Sequence, residues 1–252
     1  MQNFIKGDNL GICLSRQYKT GEHYQHCFIA NQMMESTYVS NRTSEITYIF
    51  PVYKYYDDGS RNPNLKQGIV DKIATNINLE FETEKSDDRD KFAPIDVLDY
   101  IYAVLHSPAY RKKYKEFLKT DFPCVPYPTS TDEFRHLAGL GCELRQIHLL
   151  EHPALQGMIT DYLYLGEGNN IVEKVRWEPL SESVGRIWIN GTQYFDSVPL
   201  TAWEFYIGGY QPVQKWLKDR TSRVLGFVDL SHYQCIIKAL VMTDEIMKKI
   251  DM

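Results

Sequence analysis

The sequence predicts an α+β fold: mixed or antiparallel strands at both ends of the chain, a helical middle section and a closing C-terminal helix. Three observations predict it. Residues 10–56 are rich in β-branched and aromatic side chains. From residue 94 to 150 the apolar residues recur at helical spacing. Strand-like alternation then returns, and the chain ends in an apolar-striped segment that closes at Ile250.

Taken in order, LGICLSRQ and EITYIFPVYKYY carry the first strand signal, and Asp57-Asp58-Gly59-Ser60 breaks it as a turn. In NPNLKQGIVDKIATNI, Asn62 offers an N-cap and Pro63 a first helical position. Leu65, Ile69, Ile73 and Ile77 then share one face, so a helix is expected from there. LEFETE follows as a short strand, and the acidic residues after it form an exposed loop. APIDVLDYIYAVLHS repeats apolar residues at helical period, with Ile95, Leu98, Ile101, Val104 and Leu105. Ser107 and Pro108 cap and start a second helix that turns Tyr110, Tyr114, Phe117 and Leu118 inward. DFPCVPYP is an extended connector, because its three prolines exclude a helix. A third helix is expected over STDEFRHLAGLGCELRQIHLLEH, capped near Thr131 and bent at Gly139 and Gly141. IVEKVRW and GRIWINGTQYF alternate as strands, the latter around a two-residue hairpin turn at Asn190-Gly191. SHYQCIIKALVMTDEIMKKI closes the chain as a helix. We read 1–252 as a single domain: 1–93 β-rich with one helix, 94–152 helical, 153–252 a hairpin plus C-terminal helices.

Composition narrows the classes. At 43% hydrophobic and 24% charged residues the chain is globular rather than disordered. No apolar run is long enough to span a bilayer and the first residues lack a secretory signal, so no membrane partner and a cytoplasmic location are expected. Five scattered cysteines fit free thiols in a reducing compartment. The net charge of −5 counts against a nucleic-acid binder at first sight. Glu80–Asp90 alone carries −4, however, which leaves −1 for the rest. Two basic runs, Arg111–Lys119 and Lys215–Arg223, then stand out; solvated helix faces would also produce them.

Motifs for chemistry are sparse, and no catalytic or metal-binding residue is assigned. SPAY (Ser107–Tyr110) resembles the active-site loop of amino-group methyltransferases, but alanine stands in place of the second proline and the tetrapeptide coincides with a helix start. Gly166-x-Gly168 in YLGEGNN precedes a strand, where a cofactor loop would open a helix. No Walker loop, Glu-x-Lys or Asp-x-Lys nuclease tripeptide or Gly-x-Ser-x-Gly occurs. HYQHC (His23–Cys27) lacks a second Cys/His pair at finger spacing.

The densest stretch is WEFYIGGYQPVQKWLKDR, Trp203–Arg220. Trp203–Ile207 reads as an apolar anchor, and Gly208-Gly209 as a site of positive φ or close backbone approach. Tyr210 and Gln211 then fall on an exposed turn, and Pro212 starts a short helix with Trp216 and Leu217 inward. Lys215, Lys218, Arg220 and Arg223 flank the turn with positive charge. Gln bonds adenine bidentately, and Lys and Arg hold phosphates. A tight turn that locks the last helix onto a sheet would use the same residues.

That stretch is similar to the Trp-x-Phe-x-Ile-Gly-Gly-Tyr-Gln-x-x-x-Lys-Trp-Leu-Lys-Asp-Arg segment in the C-terminal specificity region of type ISP restriction–modification enzymes and related N6-adenine DNA methyltransferases. The resemblance continues in APIDVLDYIYAVLHSPAYRKKYKEFLKTDFPCVPYP, GCELRQIHLL, INGTQYF and SHYQCIIKAL, and earlier in DNLGICLSRQ and SNRTSEITYIFPVY, so it covers nearly the whole chain. It implies a target recognition domain that binds double-stranded DNA. The partner in the same polypeptide would be an upstream methyltransferase domain using S-adenosylmethionine, with no cofactor in this segment. Such regions vary with their targets, so the candidate DNA contacts come from chemistry: Arg16, Gln17, Asn41, Arg42, Arg61, Tyr210, Gln211, Lys215, Lys218 and Arg220. Two alternatives stay open: a stand-alone methyltransferase-like enzyme using SPAY, and a structural docking domain without DNA contact.

Overall fold

The computed structural model describes residues 2–18, 24–37, 46–157 and 159–251. The chain divides into two compact units, Met1–Leu149 with Ile246–Met252, and Leu150–Glu245. The border lies close to residue 152, which the sequence reading places inside one domain. The fold is α+β, as the sequence predicts.

In the first unit, β1 (Gly11–Ser15) is the central strand of an antiparallel sheet, between β2 (Cys27–Ala30) and β3 (Thr47–Pro51). Every residue of β1 is buried, as expected of a strand covered on both faces. β4 (Tyr53–Tyr55) and β5 (Arg61–Pro63) make a hairpin across the expected Asp57–Ser60 turn, with Gly59 at φ +83°. This hairpin corrects one expectation. Asn62 and Pro63 pair with Lys54 and Tyr53 instead of opening a helix, and α1 runs only over Gln67–Ile77. Pro63 is tolerated because a two-stranded ribbon has an open edge that needs no N–H. Val70, Ile73 and Ile77 form the buried stripe of α1, while Ile69 stays exposed.

β6 (Glu80–Phe81) and β7 (Lys91–Phe92) pair in parallel and bracket the exposed acidic loop. α2 (Pro94–His106) follows, its first turn closed by the Asp96 carboxylate accepting from the Ala93 N–H at 2.8 Å. α3 (Pro108–Lys113) starts as predicted, with Ser107 Oγ accepting from the Tyr110 N–H. The short α4 (Lys115–Leu118) buries Leu118 but leaves Phe117 at 75% exposure, so Phe117 is not an inward residue. α5 (Thr131–His148) is capped by Ser130 and runs unbroken through Gly139 and Gly141. Gly141 is there for contact rather than bending: a Cβ on it would collide with the Asp99 carbonyl of α2. A row of rings, Phe81, Phe92, Phe134 and Tyr100, fills the adjoining core at centroid spacings of 5.3, 5.7 and 5.5 Å.

Two imidazoles sit under the α2–α5 contact. His106 is buried, and its Nδ1–H donates to the Tyr102 carbonyl at 2.7 Å. His148 Nδ1 shares a hydrogen bond of 2.5 Å with the Tyr102 hydroxyl. Burial, aided by the Arg111 guanidinium, holds His106 well below the ordinary imidazole range and brings His148 down to about 4. In the unfolded chain both titrate near 6.5, so as pH falls protons bind the unfolded state first. Stability is therefore complete above 6.5 and declines from there toward about 4, by up to ~1.4 kcal/mol per pH unit for each imidazole. Asp99, whose carboxyl is raised by burial, opposes this only at the acid end. Thermal melts across that window should show the decline, and His148→Gln should make it shallower while leaving the part due to His106. A Tm that stays level through the window in the parent protein would refute this account.

In the second unit, β8 (Tyr164–Leu165), β9 (Arg176–Pro179), β10 (Val184–Trp188) and β11 (Tyr194–Pro199) form an antiparallel sheet in the order β8-β11-β10-β9. The hairpin between β10 and β11 is where the sequence places it, but its turn is longer than two residues. Trp188 pairs with Tyr194, and the loop between them closes by Ile189 N–H to the Gln193 carbonyl. Asn190 Oδ1 accepts from the N–H groups of Thr192 and Gln193 at 3.0 and 2.8 Å, and Gly191 does not take positive φ. α6 (Leu200–Glu204), α7 (Pro212–Lys218) and α8 (Phe227–Ile250) complete the chain. Ile187, Phe195, Val198, Val213, Leu217, Tyr233 and Ile237 make the fully buried core of this unit.

Candidate nucleic-acid interface

The Trp203–Arg220 stretch is held from beneath. Trp203, at the end of α6, is half-buried and stacks on Trp177 of β9, with centroids 5.4 Å apart and planes at 23°. Trp177 lies over Gly185 of β10, where a side chain would collide with the indole. Trp216 is also half-buried, 5.0 Å from the Tyr233 ring of α8, and the Tyr233 hydroxyl donates to the Val213 carbonyl at 3.1 Å. The anchors are thus stacked rather than fully enclosed.

The turn itself is closed. Gly208 takes φ +55°, and Ile207 and Tyr210 exchange backbone hydrogen bonds of 2.9 and 3.2 Å. The Gln211 and Gln214 side-chain amides both donate to the Trp203 carbonyl at 3.3 Å, so Gln211 is half-buried and engaged rather than free on an exposed turn. The cations spread along α7 and past its end. Lys215 Nζ lies 2.6 Å from the Asp219 carboxylate and 5.8 Å from the Tyr210 ring centre. Arg220 stacks on Trp216 at 3.6 Å and donates from Nη1 to the Trp216 carbonyl at 3.1 Å. Its Nε is buried without a hydrogen-bond partner, 4.0 Å from Asp229. Lys218 is exposed, 3.4 Å from Gln214 Oε1, and Arg223 is exposed beyond it. Between Glu204 and Asp229 the sequence has four basic residues and one acid, in a unit whose acids outnumber its bases twelve to eight. The positive charge is therefore local to this element.

In the first unit, Arg16 and Gln17 come together at the end of β1. Arg16 Nε and Nη2 bond the Asp121 carboxylate at 2.9 and 3.3 Å, and Gln17 Nε2 donates to the Thr120 carbonyl at 3.2 Å. The ion pair holds the Asp121 carboxyl below the usual carboxylate range. Arg61 is tied elsewhere: it grips Glu84 through Nε and Nη2 at 2.9 and 2.5 Å and lies 4.1 Å over the Tyr53 ring. That geometry pins the acidic loop to the β4–β5 hairpin. Asn41 and Arg42 lie outside the described residues.

Two groupings were missed in the sequence. Beside Arg16, exposed Tyr48 and Phe50 of β3 both meet Phe122 edge-on, at 5.2 and 5.5 Å. Nothing in the β-branched and aromatic run ITYIF marks which positions face solvent. On the outer face of the second sheet, Arg176 lies 4.3 Å over Trp188, Arg186 lies 4.8 Å over Tyr194, and Glu178 and Asp196 pair with the two arginines. Here the alternation of RWEP, GRIW and YFD carried the signal.

The motifs weighed for chemistry resolve as structure. Ser107 Oγ donates to Asp251 at 2.5 Å while accepting from Tyr110, and Asp251 also accepts from the Ala109 N–H at 2.7 Å, so the polar groups of SPAY are consumed internally. Gly166 takes φ +98° in a turn packed on the Thr192 carbonyl, and Asn170 just beyond bonds Gln193 and Leu225. Among the described residues no group of three or more His, Cys, Asp or Glu side chains could hold a metal ion, and no helix is long and apolar enough to cross a membrane. All five cysteines carry free thiols.

Comparison with known proteins follows the same line. The model of the Type ISP C-terminal specificity domain matches residues 1–249. Three solved structures resemble the chain over 97% of its length. One is a nuclease-deletion mutant of the Type ISP restriction-modification enzyme LlaGI in complex with a DNA substrate mimic (18% identity, TM-score 0.64). The others are a DrdV–DNA complex (21%, 0.67) and the ATP-dependent Type ISP restriction-modification enzyme LlaBIII bound to DNA (19%, 0.68). This chain spans only 21%, 24% and 16% of theirs, respectively. A comparison with curated proteins gives no match.

Proposed function

The chain belongs to the Type ISP C-terminal specificity domain family, and from that premise we propose that it reads double-stranded DNA as the target recognition part of a restriction–modification adenine methyltransferase. In this reading the methyl transfer, and the S-adenosylmethionine it consumes, belong to an upstream methyltransferase domain of the same polypeptide in the cytoplasm. The observation that carries it is the α7 element: cations held over aromatic faces, concentrated in an otherwise acidic unit, on a turn fixed by backbone hydrogen bonds. Fixed, partly desolvated cations suit phosphate contact, and phosphate contacts set register before bases are read. Arg16 and Gln17, bordered by Tyr48 and Phe50, offer a second contact region on the first unit. The internally satisfied SPAY segment favours a binding role for this chain over a methyl-transfer role of its own.

Duplex selected from a random-sequence library by the full protein supplies the test. Lys218→Ala should weaken binding to selected and random duplex alike and lower the salt slope by about one unit. Gln211→Ala should cost about 1–3 kcal/mol on the selected duplex and little on random DNA if Gln211 leaves the Trp203 carbonyl to read a base. If no duplex is enriched, the DNA-reading role falls. If the folded variants bind as the parent does, α7 is architectural.

A further inference from the structure

We infer that the loop after α7 and the first turn of α8 form a preorganised wedge that enters the DNA duplex, with Phe227 as the side chain that intrudes at a base step; this rests on the DNA-reading role proposed above. Three apolar side chains here stand in solvent: Val224 at 61% exposure, Phe227 at 75% and Val228 at 78%. They are close in sequence, whereas later positions of α8 (Tyr233, Ile237 and Leu240) are buried in the core. Apolar residues grouped in this way on a surface mark a contact.

The loop that carries them is fastened. Ser222 sits at φ +66°, a left-handed conformation that a residue with a Cβ adopts only when its surroundings impose it. Its N–H donates to the Val172 carbonyl at 2.7 Å, the Val172 N–H donates to the Arg223 carbonyl at 3.0 Å, and the Leu225 N–H donates to the Asn170 carbonyl at 2.9 Å. Leu225 is buried between the exposed neighbours Val224 and Gly226, and Asn170 Nδ2 returns to its carbonyl at 3.3 Å. Gly226 N–H donates to Asp229 Oδ2 at 3.0 Å and fixes the entry to α8. The exposed apolar tip is therefore held in place before any partner arrives.

The charge around the tip selects the partner. Lys218, Arg220 and Arg223 lie in the ten residues before Phe227, against the single acid Asp219, and Arg220 is brought to the first turn of α8 by Asp229. A protein partner in search of an apolar patch needs no such cations. A duplex needs both: Lys and Arg to hold the phosphates on either side, and a rigid apolar side chain to part the stacked bases.

The experiment uses the full protein and the duplex enriched on it, with 2-aminopurine placed in turn at each step. The parent protein should raise the fluorescence at one step. Phe227→Ala should abolish that rise and weaken binding about 10- to 100-fold, whereas Phe227→Leu should keep both. Arg223→Ala should weaken binding to all duplexes and lower the salt slope by about one unit. Failure to enrich any duplex overturns the DNA-reading role itself. Enrichment with unchanged affinity and fluorescence in Phe227→Ala and Val228→Ala overturns the wedge alone. A Phe227→Ala protein that keeps its DNA affinity but changes its oligomeric state in light scattering makes the tip a protein contact, and also overturns it.

Discussion

Gly141→Ala should destabilise the first unit by on the order of 2–4 kcal/mol. In an isolated helix the same change would stabilise by about 1 kcal/mol, because alanine loses less backbone freedom than glycine. Here the sign reverses. The added Cβ would occupy the space of the Asp99 carbonyl, a backbone atom of α2 that no rotamer change can move. Relief requires α2 and α5 to separate, and both helices carry buried core residues, Val97 and Leu98 on α2 and Leu144 and Ile147 on α5. Gly139, two residues earlier on the same helix, is the internal control. A Cβ there meets nothing within 4 Å, so Gly139→Ala should be neutral or stabilise by up to about 1 kcal/mol. Urea denaturation of the two variants reads the contrast directly. Equal shifts, or a stabilising Gly141→Ala, would show that the helices are not locked at this point.

The same glycine shows where sequence reading stops. GLGCELRQIH announces a helix by its periodicity, and the helix is there. The pattern cannot tell a glycine that breaks a helix from one that lets another backbone approach, because the difference lies in what stands opposite. The Asn62-Pro63 start failed for a related reason. Cap chemistry is local, but the pairing of those residues with Tyr53 and Lys54 is decided across a turn. Ser107-Pro108 has the same local signature, no strand competes for it, and it begins a helix as expected. At the candidate site, WEFYIGGYQPVQKW revealed the anchor, the turn and the short helix. It did not reveal that Gln211 spends its amide on the Trp203 carbonyl, or that Lys215 answers Asp219. The exposed Phe227 and Val228 continue an apolar helix pattern without a break in sequence, and only burial separates them from the core.

Arg145→Met should cost about 3–5 kcal/mol near neutral pH, because it strands a charge rather than merely removing a contact. Asp99 and Arg145 are paired across the same α2–α5 contact, by Nε to Oδ1 at 2.7 Å and Nη2 to Oδ2 at 3.0 Å. Their side chains are 4% and 14% exposed, so water cannot replace the guanidinium. Burial already raises the Asp99 carboxyl against the pull of Arg145, and without Arg145 the rise must be larger. A raised folded-state carboxyl favours the fold while it is protonated and loses that benefit as pH climbs. The penalty of Arg145→Met should therefore be small in acid, grow upward from the unfolded carboxyl value near 3.8, and level off above the new folded value. Adding Asp99→Asn removes the charge that was stranded, so the double variant should recover part of the loss and lose its pH dependence. Asp99 thus meets α5 twice, through its carbonyl at Gly141 and its carboxylate at Arg145, and both helices pack on β2 of the sheet whose central strand ends at Ser15, next to Arg16. A folded Arg145→Met protein should bind DNA as the parent does well below its melting temperature, and fail abruptly at a lower temperature. A gradual loss of affinity with an unchanged melting temperature would mean that the pair acts on the binding surface rather than on the fold.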